Sequence, residues 1–367
     1  MGLKCGIVGL PNVGKSTIFN AITLGEAASS NYPFCTIEPN IGIKSLNDDR
    51  LNKLAEMVKP EKLTPTYVEF VDIAGLVKGA SVGEGLGNRF LSHVRNMDLI
   101  VHVIRVFKKE EVIHVEGKVN PLRDLDIINT ELALSDIEII SRHITKLEKI
   151  ARSGDKTAIS NLEFLKTINQ SLSGDGSLVN AKDLSEEEKS LLKSLGIISA
   201  KPVIYVLNVD EDLIAPFTSN KEIDGVLSAA KAKNIPAIKL CARLEEELSK
   251  LDNADKKAFL KDFGLERSAL DAVAAESFKL LGLITFFTQG KKEVRAWEIK
   301  NGYKAPQAAG TIHSDFEKGF IRAEVISYED FLKAGSETSA AKMGLLKLEG
   351  RDYIVKDADI IHFRFNV

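Results

Sequence analysis

The chain has 367 residues, of which 44% are hydrophobic and 28% are charged, and its 49 basic and 52 acidic side chains give a formal net charge of −3. This composition is typical of a folded globular protein of two or three domains. No global basic excess indicates a nucleic-acid binder, so any such contact requires a local patch. The three cysteines, at positions 5, 35 and 241, form neither a disulfide framework nor a metal-ligand cluster, which indicates a reducing compartment.

The N-terminus and the apolar segments bear on where the protein is located. We expect no signal peptide, because the sequence passes almost at once into a predicted strand. No apolar run approaches the ~20 residues that a membrane-spanning helix needs. We therefore expect a cytoplasmic protein that has no membrane partner.

The first motif in chain order is a phosphate-binding loop. Residues 9–16 follow the pattern G-x-x-x-x-G-K-S, between a predicted strand at 4–8 and a predicted helix at 16–23. The two glycines allow backbone N–H groups to point at phosphate oxygens, and the helix dipole adds partial positive charge there. We expect Lys15 to reach the β- and γ-phosphates and the Ser16 hydroxyl to ligate Mg²⁺.

Short apolar strands alternate with helices or loops over residues 1 to about 127, which predicts a mostly parallel α/β sheet. The predicted strands are 4–8, 41–44, 67–71 and 99–106. Between the first helix and the second strand, Thr36 is placed to give Mg²⁺ a second hydroxyl and the γ-phosphate an N–H. The equally weighted alternative is an ordinary loop residue.

A second phosphate-sensing motif follows the third of these strands. Asp72 ends the strand three residues before Gly75, the D-x-x-G arrangement of a GTPase switch. We expect Asp72 to hold Mg²⁺ through a water and the Gly75 N–H to read the γ-phosphate. Leu76 stands where Ras-like enzymes carry the glutamine that orients the attacking water. Hydrolysis should therefore be slow or use another group; His114 is one candidate, and the alternative is a surface histidine.

The pattern changes to helical from about 125 to 172. Apolar residues repeat at spacings of four and three, Ser153-Gly154-Asp155 makes a turn, and a second amphipathic segment follows, so we predict an antiparallel helical hairpin. A further helix is predicted at 184–195. The outer faces of the hairpin are either a solvated surface or a basic face for phosphate backbone. The residues concerned are Arg142, Lys146, Lys149, Arg152 and Lys156.

Another apolar strand, at 202–207, is followed by Asn208-Val209-Asp210-Glu211. GTPases carry N-K-x-D here, and the final Asp accepts two hydrogen bonds from guanine, which rejects adenine strongly. Val209 replaces the Lys, and Glu211, one methylene longer than Asp, cannot take the Asp position without displacing the base. The adenine N6 amine and N1 acceptor could instead meet backbone groups around Asn208 and Val209. We therefore expect ATP to be preferred over GTP.

The last third of the chain completes the sheet and adds a second module. A strand at 237–240 ends in Cys241-Ala242-Arg243, where GTPases have S-A-K and contact the base through its N–H groups. Helices are expected from 244 to about 281, and short β-rich runs from about 283 predict a small mixed sheet without a catalytic constellation. This module carries positively charged residues beside Trp297 and Phe320, which could either bind RNA or form an ordinary solvated surface. The residues are Lys291, Lys292, Arg295, Lys318 and Arg322.

With these motifs assembled, the chain resembles the YchF family of Obg-like ATPases, within the translation-factor class of P-loop GTPases, over essentially its whole length. The stretches that carry the resemblance are 5–17, 31–40, 70–77, 292–297 and 313–323. The resemblance implies an α/β G domain interrupted by a coiled-coil hairpin, and a C-terminal β-grasp-like TGS domain. The implied boundaries are 1–127 and 199–281 for the G domain, 128–198 for the insertion and 282–367 for the TGS domain.

The family also implies an activity and a set of site residues. The activity is hydrolysis of ATP to ADP and phosphate with Mg²⁺, in a switch that binds the ribosome and its large subunit and modulates translation or the stress response. The motif places Ser16 and Thr36 on Mg²⁺ and Val209 on the adenine. Lys15 and Gly75 are the expected catalytic residues beside the candidate His114. The expected nucleotide-binding residues are Asn12, Val13, Gly14, Lys15, Ser16, Thr17, Asn208, Val209, Glu211, Cys241 and Ala242.

Asn12 resembles the P-loop asparagine of GTPases that recruit K⁺ in place of an arginine finger, and with Leu76 it motivates the hypothesis of K⁺ activation. The chain departs mildly from the family pattern. Cys241 and Arg243 replace Ser and Lys of S-A-K, and Ala358 stands where we expect a turn glycine.

Two alternative functions stay open at this point. The first is an Obg-type GTPase, against which Val209 and Glu211 argue. The second is a nucleotide-gated module for RNA or ribosome binding whose hydrolysis is incidental, which Leu76 makes plausible. The charge of the hairpin also suggests an RNA-facing cleft between the hairpin and the TGS domain.

Overall fold

The computed structural model describes residues 3–27, 40–73, 86–109, 111–174 and 184–366. Three residues with predicted roles, Thr36, Gly75 and Leu76, therefore lie outside the described residues. No helix in the described ranges is long and apolar enough to cross a lipid bilayer.

A six-stranded, mostly parallel sheet forms the N-terminal part, with the strands β1, β2, β4, β5, β6 and β7 in the order β2-β4-β1-β5-β6-β7. Only β2 runs antiparallel to its neighbour. Every residue of the central strand β5 is buried, as expected for a strand covered on both faces. The bounds are β1 Lys4–Val8, β2 Ile41–Ser45, β4 Tyr67–Asp72, β5 Leu99–Arg105, β6 Val203–Asn208 and β7 Ala237–Leu240.

Helices supply apolar side chains to two core clusters on this sheet. One cluster takes Ile18 and Ile22 from α1 and Val94 from α3. The other takes Ile223 and Val226 from α7. The strands packed in these clusters end in residues of the predicted site. The helices are α1 (Lys15–Ala27), α3 (Leu86–Arg95), α7 (Lys221–Ala232), α8 (Ala242–Leu248), α9 (Asn253–Asp262) and α10 (Ala269–Leu280).

The helical insertion is the predicted antiparallel hairpin, built from α4 (Pro121–Ala151) and α5 (Lys156–Gly174), with α6 (Glu186–Ser194) beside it. Asn120 caps α4 by accepting the Arg123 N–H, and Pro121 occupies the first turn, where its missing N–H costs nothing. Helix α4 begins at 121, so the predicted domain boundary at 128 falls inside it. Its first half packs on the sheet, and its buried residues end at Ile140.

The C-terminal module is a second six-stranded sheet, in the order β11-β10-β12-β8-β9-β3. The structure confirms the expected fold class of a parallel α/β domain, a helical insertion and a β-rich C-terminal module. Several short elements were not predicted, among them α11, α12, α14 and β11. The bounds are β8 Leu283–Gln289, β9 Glu293–Lys300, α11 Ala305–Ile312, α12 Ser314–Lys318, β10 Phe320–Ile326, α13 Tyr328–Ala334, α14 Glu337–Lys342, β11 Lys347–Glu349 and β12 Ile360–Phe365.

One segment of the N-terminal part belongs physically to this second sheet. Strand β3 (Lys62–Thr64) pairs in parallel with β9, and the Thr64 hydroxyl donates to Glu293 Oε1 at 2.6 Å. Helix α2 (Asp49–Val58) buries Leu51 and Leu54 in the same apolar cluster as Phe287 and Phe331. The predicted boundaries place this segment in the first part of the G domain, whereas the contacts described above are with the C-terminal module.

Candidate functional site

The phosphate-binding loop joins β1 to α1, as the motif predicts. Gly14 has a φ of +101°, and a Cβ there would lie 2.2 Å from the Asn208 amide nitrogen, so only glycine fits. Asn12 has a φ of +61°, a left-handed conformation that asparagine tolerates better than most residues. The Asn12 side chain donates to the Ile113 carbonyl at 3.1 Å. The loop is therefore held from two sides by residues far away in the sequence.

Lys15 is a buried cation inside this loop. Its Nζ donates to the carbonyls of Gly9, at 3.0 Å, and Leu10, at 2.7 Å. Burial lowers the pKa of Lys15 to about 8, although the nearby Asp72 carboxylate acts in the opposite direction. A phosphate oxygen would replace these carbonyls as a stronger, charged acceptor.

Ser16 and Asp72 lie opposite each other beside the loop. The Ser16 hydroxyl is 3.5 Å from Asp72 Oδ2, because Asp72 ends β4, the strand paired with β1. Burial raises the pKa of Asp72, and Lys15 and Ser16 oppose that shift. A hydroxyl and a carboxylate are the hard oxygen donors that Mg²⁺ prefers, so these two residues fit the predicted ion. Within the described ranges, no group of three or more His, Cys, Asp or Glu side chains is arranged so that it could hold a metal ion.

Asn208, predicted to contact the nucleotide, connects the two loops of the predicted base site. Its amide nitrogen donates to the Val13 carbonyl at 2.8 Å, and its amide oxygen accepts the Ala242 N–H at 3.0 Å. The side chain thus fixes the phosphate loop and the loop before α8 relative to each other. The predicted residues Cys241 and Ala242 are both buried at this junction.

Val209 and Glu211 differ in their exposure to solvent. Val209 is 2% exposed, and its N–H donates to the Leu240 carbonyl at 2.9 Å. Its side chain packs in the core, so a contact with a base would run through its carbonyl oxygen. Glu211 is exposed at the start of a short 3-10 turn. Its side chain is therefore not enclosed in a pocket of the kind that reads guanine in N-K-x-D.

The segment after β5 supports the base loop, which the sequence motifs did not indicate. The N–H groups of Val106 and Phe107 both donate to the Asn208 carbonyl, at 2.9 and 3.1 Å. The Lys108 N–H donates to Asp210 Oδ2 at 3.0 Å. The only sequence signal for this contact is that the apolar run of β5 continues through 107.

Arg105 holds that segment in place. It is 2% exposed, its guanidinium carbon lies 4.3 Å from the centre of the Phe107 ring, and it donates to the carbonyls of Phe107 and Lys109. A buried arginine at the end of a strand that leads to the nucleotide loops has a structural role here. Within the described residues its Nη1 has no hydrogen-bond partner.

His114 is not a surface histidine. The ring is buried, its Nε2 lies 2.8 Å from Asp124 Oδ2, and its Nδ1 accepts the Glu116 N–H at 3.1 Å. The Glu116 contact places the ring proton on Nε2, which donates to Asp124. Both nitrogens are therefore engaged in this conformation. Contact between His114 and a water at the nucleotide would require the pair with Asp124 to separate first.

The two predicted basic surfaces, on the hairpin and on the C-terminal module, differ in how freely their side chains could contact RNA. The five basic residues on the hairpin are exposed, although Arg142 approaches Glu138 at 3.4 Å. In the C-terminal module, Trp297 and Phe320 are not free to stack on bases. Trp297 packs on the core and carries the Arg295 guanidinium at 3.7 Å from its ring, and Phe320 is buried.

Comparisons with known proteins agree with this arrangement. Residues 4–140 match the family profile described as 50S ribosome-binding GTPase, and residues 283–366 match YchF-GTPase_C, described as a protein of unknown function. The chain is 49% identical to the Ribosome-binding ATPase YchF of Bacillus subtilis and 50% identical to that of Haemophilus influenzae. Both alignments span 367 residues and cover 100% of each chain.

A solved structure extends the likeness to three dimensions. The Schizosaccharomyces pombe YchF GTPase superposes with a TM-score of 0.89 at 37% sequence identity, over 99% of this chain and 98% of that one. The likeness therefore includes both sheets and the hairpin.

Proposed function

Because the chain belongs to the YchF family, we propose that it is a Mg²⁺-dependent ATPase of low intrinsic turnover, which binds the ribosome under nucleotide control. The observation that carries the proposal is the phosphate loop with buried Lys15, closed against a base loop that lacks the guanine-reading aspartate. The relatives from bacteria are named ribosome-binding ATPases. A ribosome-bound switch would act in the cytoplasm.

The choice of ATP rests on the base loop, since the yeast relative is named a GTPase and the bacterial ones ATPases. A guanine site needs a fixed carboxylate facing N1–H and N2–H₂. Glu211 is longer and exposed, whereas Asp210 is held by the Lys108 N–H. The Val209 carbonyl is a neutral acceptor suited to the adenine N6 amine. An Obg-type GTPase remains the alternative at the same site.

The chain's own residues act mainly by binding and charge compensation. Backbone N–H groups over Asn12–Thr17 would cradle the phosphates, and Lys15 would exchange its carbonyl partners for phosphate oxygens. Ser16 and Thr36 would hold Mg²⁺, with Asp72 acting through a water. When bound, the ion neutralises charge on the β- and γ-phosphate oxygens.

Two features support a low turnover without a partner. Leu76 cannot orient a water, and His114 is held by Asp124. We propose that His114 acts only once that pair separates. Asn12 is the residue that would recruit K⁺; equal turnover in K⁺ and Na⁺ buffers would rule out that role.

We place ribosome and RNA contacts on the hairpin. Its exposed basic residues, among them Arg142 and Lys149, offer charge to phosphate backbone. Arg142→Glu and Lys149→Glu should weaken ribosome binding and reduce its dependence on salt. If neither changes, RNA does not bind at this face.

The experiment that tests the switch uses Lys15→Ala, which should abolish nucleotide control of ribosome binding. Co-sedimentation with ribosomes is measured with ADP and with a non-hydrolysable ATP analogue, and Lys231→Ala, an exposed lysine on α7, is the matched control. If ribosome binding and the cellular phenotype of Lys15→Ala are unchanged, hydrolysis is incidental. The protein would then be a ribosome-binding module.

A further inference from the structure

A cluster of the partly buried Arg95 with the buried Ser135 and Asp136 joins helix α3 to the helical hairpin. The Arg95 guanidinium donates to Asp136 Oδ1 at 3.0 Å and to the Gly196 carbonyl at 2.7 Å, and it also contacts the Ser135 hydroxyl. One side chain thus holds both the outgoing helix of the insertion and the segment by which the chain returns. An arginine suits this position because its planar fork donates in several directions at once.

Arg95 lies at the end of the helix that follows the D-x-x-G motif in the chain. It is the last residue of α3, and α3 follows in sequence directly after the segment that contains Gly75 of the D-x-x-G motif. The Arg95 carbonyl accepts a hydrogen bond from Lys201 Nζ at 2.9 Å. The end of α3 therefore contacts the chain that enters β6 as well as the hairpin.

Asp136 lies close to where the hairpin leaves the sheet. The buried residues of α4 run from Pro121 to Ile140, and the helix continues to Ala151. The part beyond Asp136 is about 22 Å long at 1.5 Å per residue, so a rotation of about 10° at this point moves the tip by about 4 Å. A small movement at Arg95 is thereby enlarged at the hairpin tip.

We propose that Arg95 couples the nucleotide state to the orientation of the helical hairpin, through its contacts with Ser135, Asp136 and Gly196. This proposal rests on the proposed nucleotide switch, and it names the residue that transmits the change of nucleotide state to the hairpin. Movement of α3 on nucleotide exchange reaches α4 through the Arg95 guanidinium.

The contact can be removed without detaching the hairpin. Ile128 and Leu132 of α4 stay packed in the core of the parallel sheet. Asp136 keeps three donors when Arg95 is replaced: the N–H of Ile198, and the N–H and hydroxyl of Ser199. Arg95→Met should therefore fold, and Arg95→Lys retains the charge but cannot reach all three partners.

The test measures the distance from the hairpin tip to the sheet domain by pulsed electron paramagnetic resonance. Spin labels are placed at Ser153→Cys and Lys231→Cys, both exposed sites, in a Cys35→Ser background; Cys5 and Cys241 are buried. ADP is compared with a non-hydrolysable ATP analogue in the full chain. We expect a shift of about 3 Å or more from the lever length.

Arg95→Met should lose most of that shift while its nucleotide affinities stay within about twofold of the parent, as expected for a residue outside the nucleotide loops. Arg142→Met, an exposed arginine further along α4, should keep the shift. If Arg95→Met does not fold, the shift between the ADP and ATP-analogue states is measured in Arg95→Lys instead. An unchanged shift in the Arg95 variant, or nucleotide binding without any shift in the parent, overturns the proposal. Absence of nucleotide binding in the parent would instead refute the proposed function.

Discussion

Single side chains set the geometry of the nucleotide loops. Asn208 ties the phosphate loop to the loop before α8 by two hydrogen bonds, and Gly14 is needed because the Asn208 amide occupies the space of a Cβ. The motif indicated both residues. It did not indicate that the Asn208 side chain would also brace the two loops against each other.

The ionisation of Lys15 gives the first prediction. Because burial lowers its pKa to about 8 and phosphate favours the charged form, binding near this pH takes up a proton. The affinity for ATP should therefore fall as pH rises through 8, roughly tenfold between pH 7 and pH 9. Calorimetry in buffers of different ionisation enthalpy measures the proton uptake. Equal affinities at both pH values would contradict this assignment; Lys15→Met should bind weakly at both.

Ala358 gives a prediction for stability. A glycine is expected at this position, and the structure gives the physical reason. Ala358 is buried and has a φ of +66°, which favours glycine. Its N–H donates to the Thr285 carbonyl at 2.7 Å. A left-handed alanine is strained, so Ala358→Gly should stabilise the C-terminal module by about 0.5–1 kcal/mol.

Urea unfolding followed by Trp297 fluorescence measures this effect, since Trp297 lies in that module. Asn234→Gly is the control, because asparagine tolerates its φ of +53° with less strain. A loss of stability in Ala358→Gly would mean that the alanine methyl contributes more by packing than its backbone costs.

At the level of elements, the strongly patterned segments could be predicted and the short ones could not. The seam of α4 and α5 and the fully apolar β5 carry clear periodicity or burial signals. Strand β3 has three residues and pairs with a strand about 230 positions later, so no local pattern reveals it. The contacts of the segment 106–109 with Asn208 and Asp210 could not be predicted either, because they too join residues about 100 positions apart.

Helix α2 and strand β3 lead to a prediction about the C-terminal module. Leu54 is fully buried among residues of that module, so Leu54→Ala should destabilise it by about 2–5 kcal/mol. Leu63→Ala, at a partly exposed site on β3, should cost much less. Hydrogen exchange in β8 and β9 measures the effect. Unchanged protection in Leu54→Ala would show that the second sheet is stable without α2.

At the largest scale, contacts between residues far apart in the sequence join the separate parts of the fold. Arg95 links α3 to the hairpin, and α2 with β3 links the chain after β2 to the C-terminal module. These connections are what a nucleotide switch needs in order to change distant surfaces. They join residues far apart in sequence, so no motif encodes them.

The preference of this switch for ATP can be tested by an equilibrium titration of ATP and GTP, with Mg²⁺, against the wild-type protein. We expect ATP to bind at least tenfold tighter than GTP, a difference of about 1.4 kcal/mol. Tighter binding of GTP would contradict the interpretation of Val209 and Glu211. The fold and the phosphate site would stand, and the protein would be assigned to the GTPases.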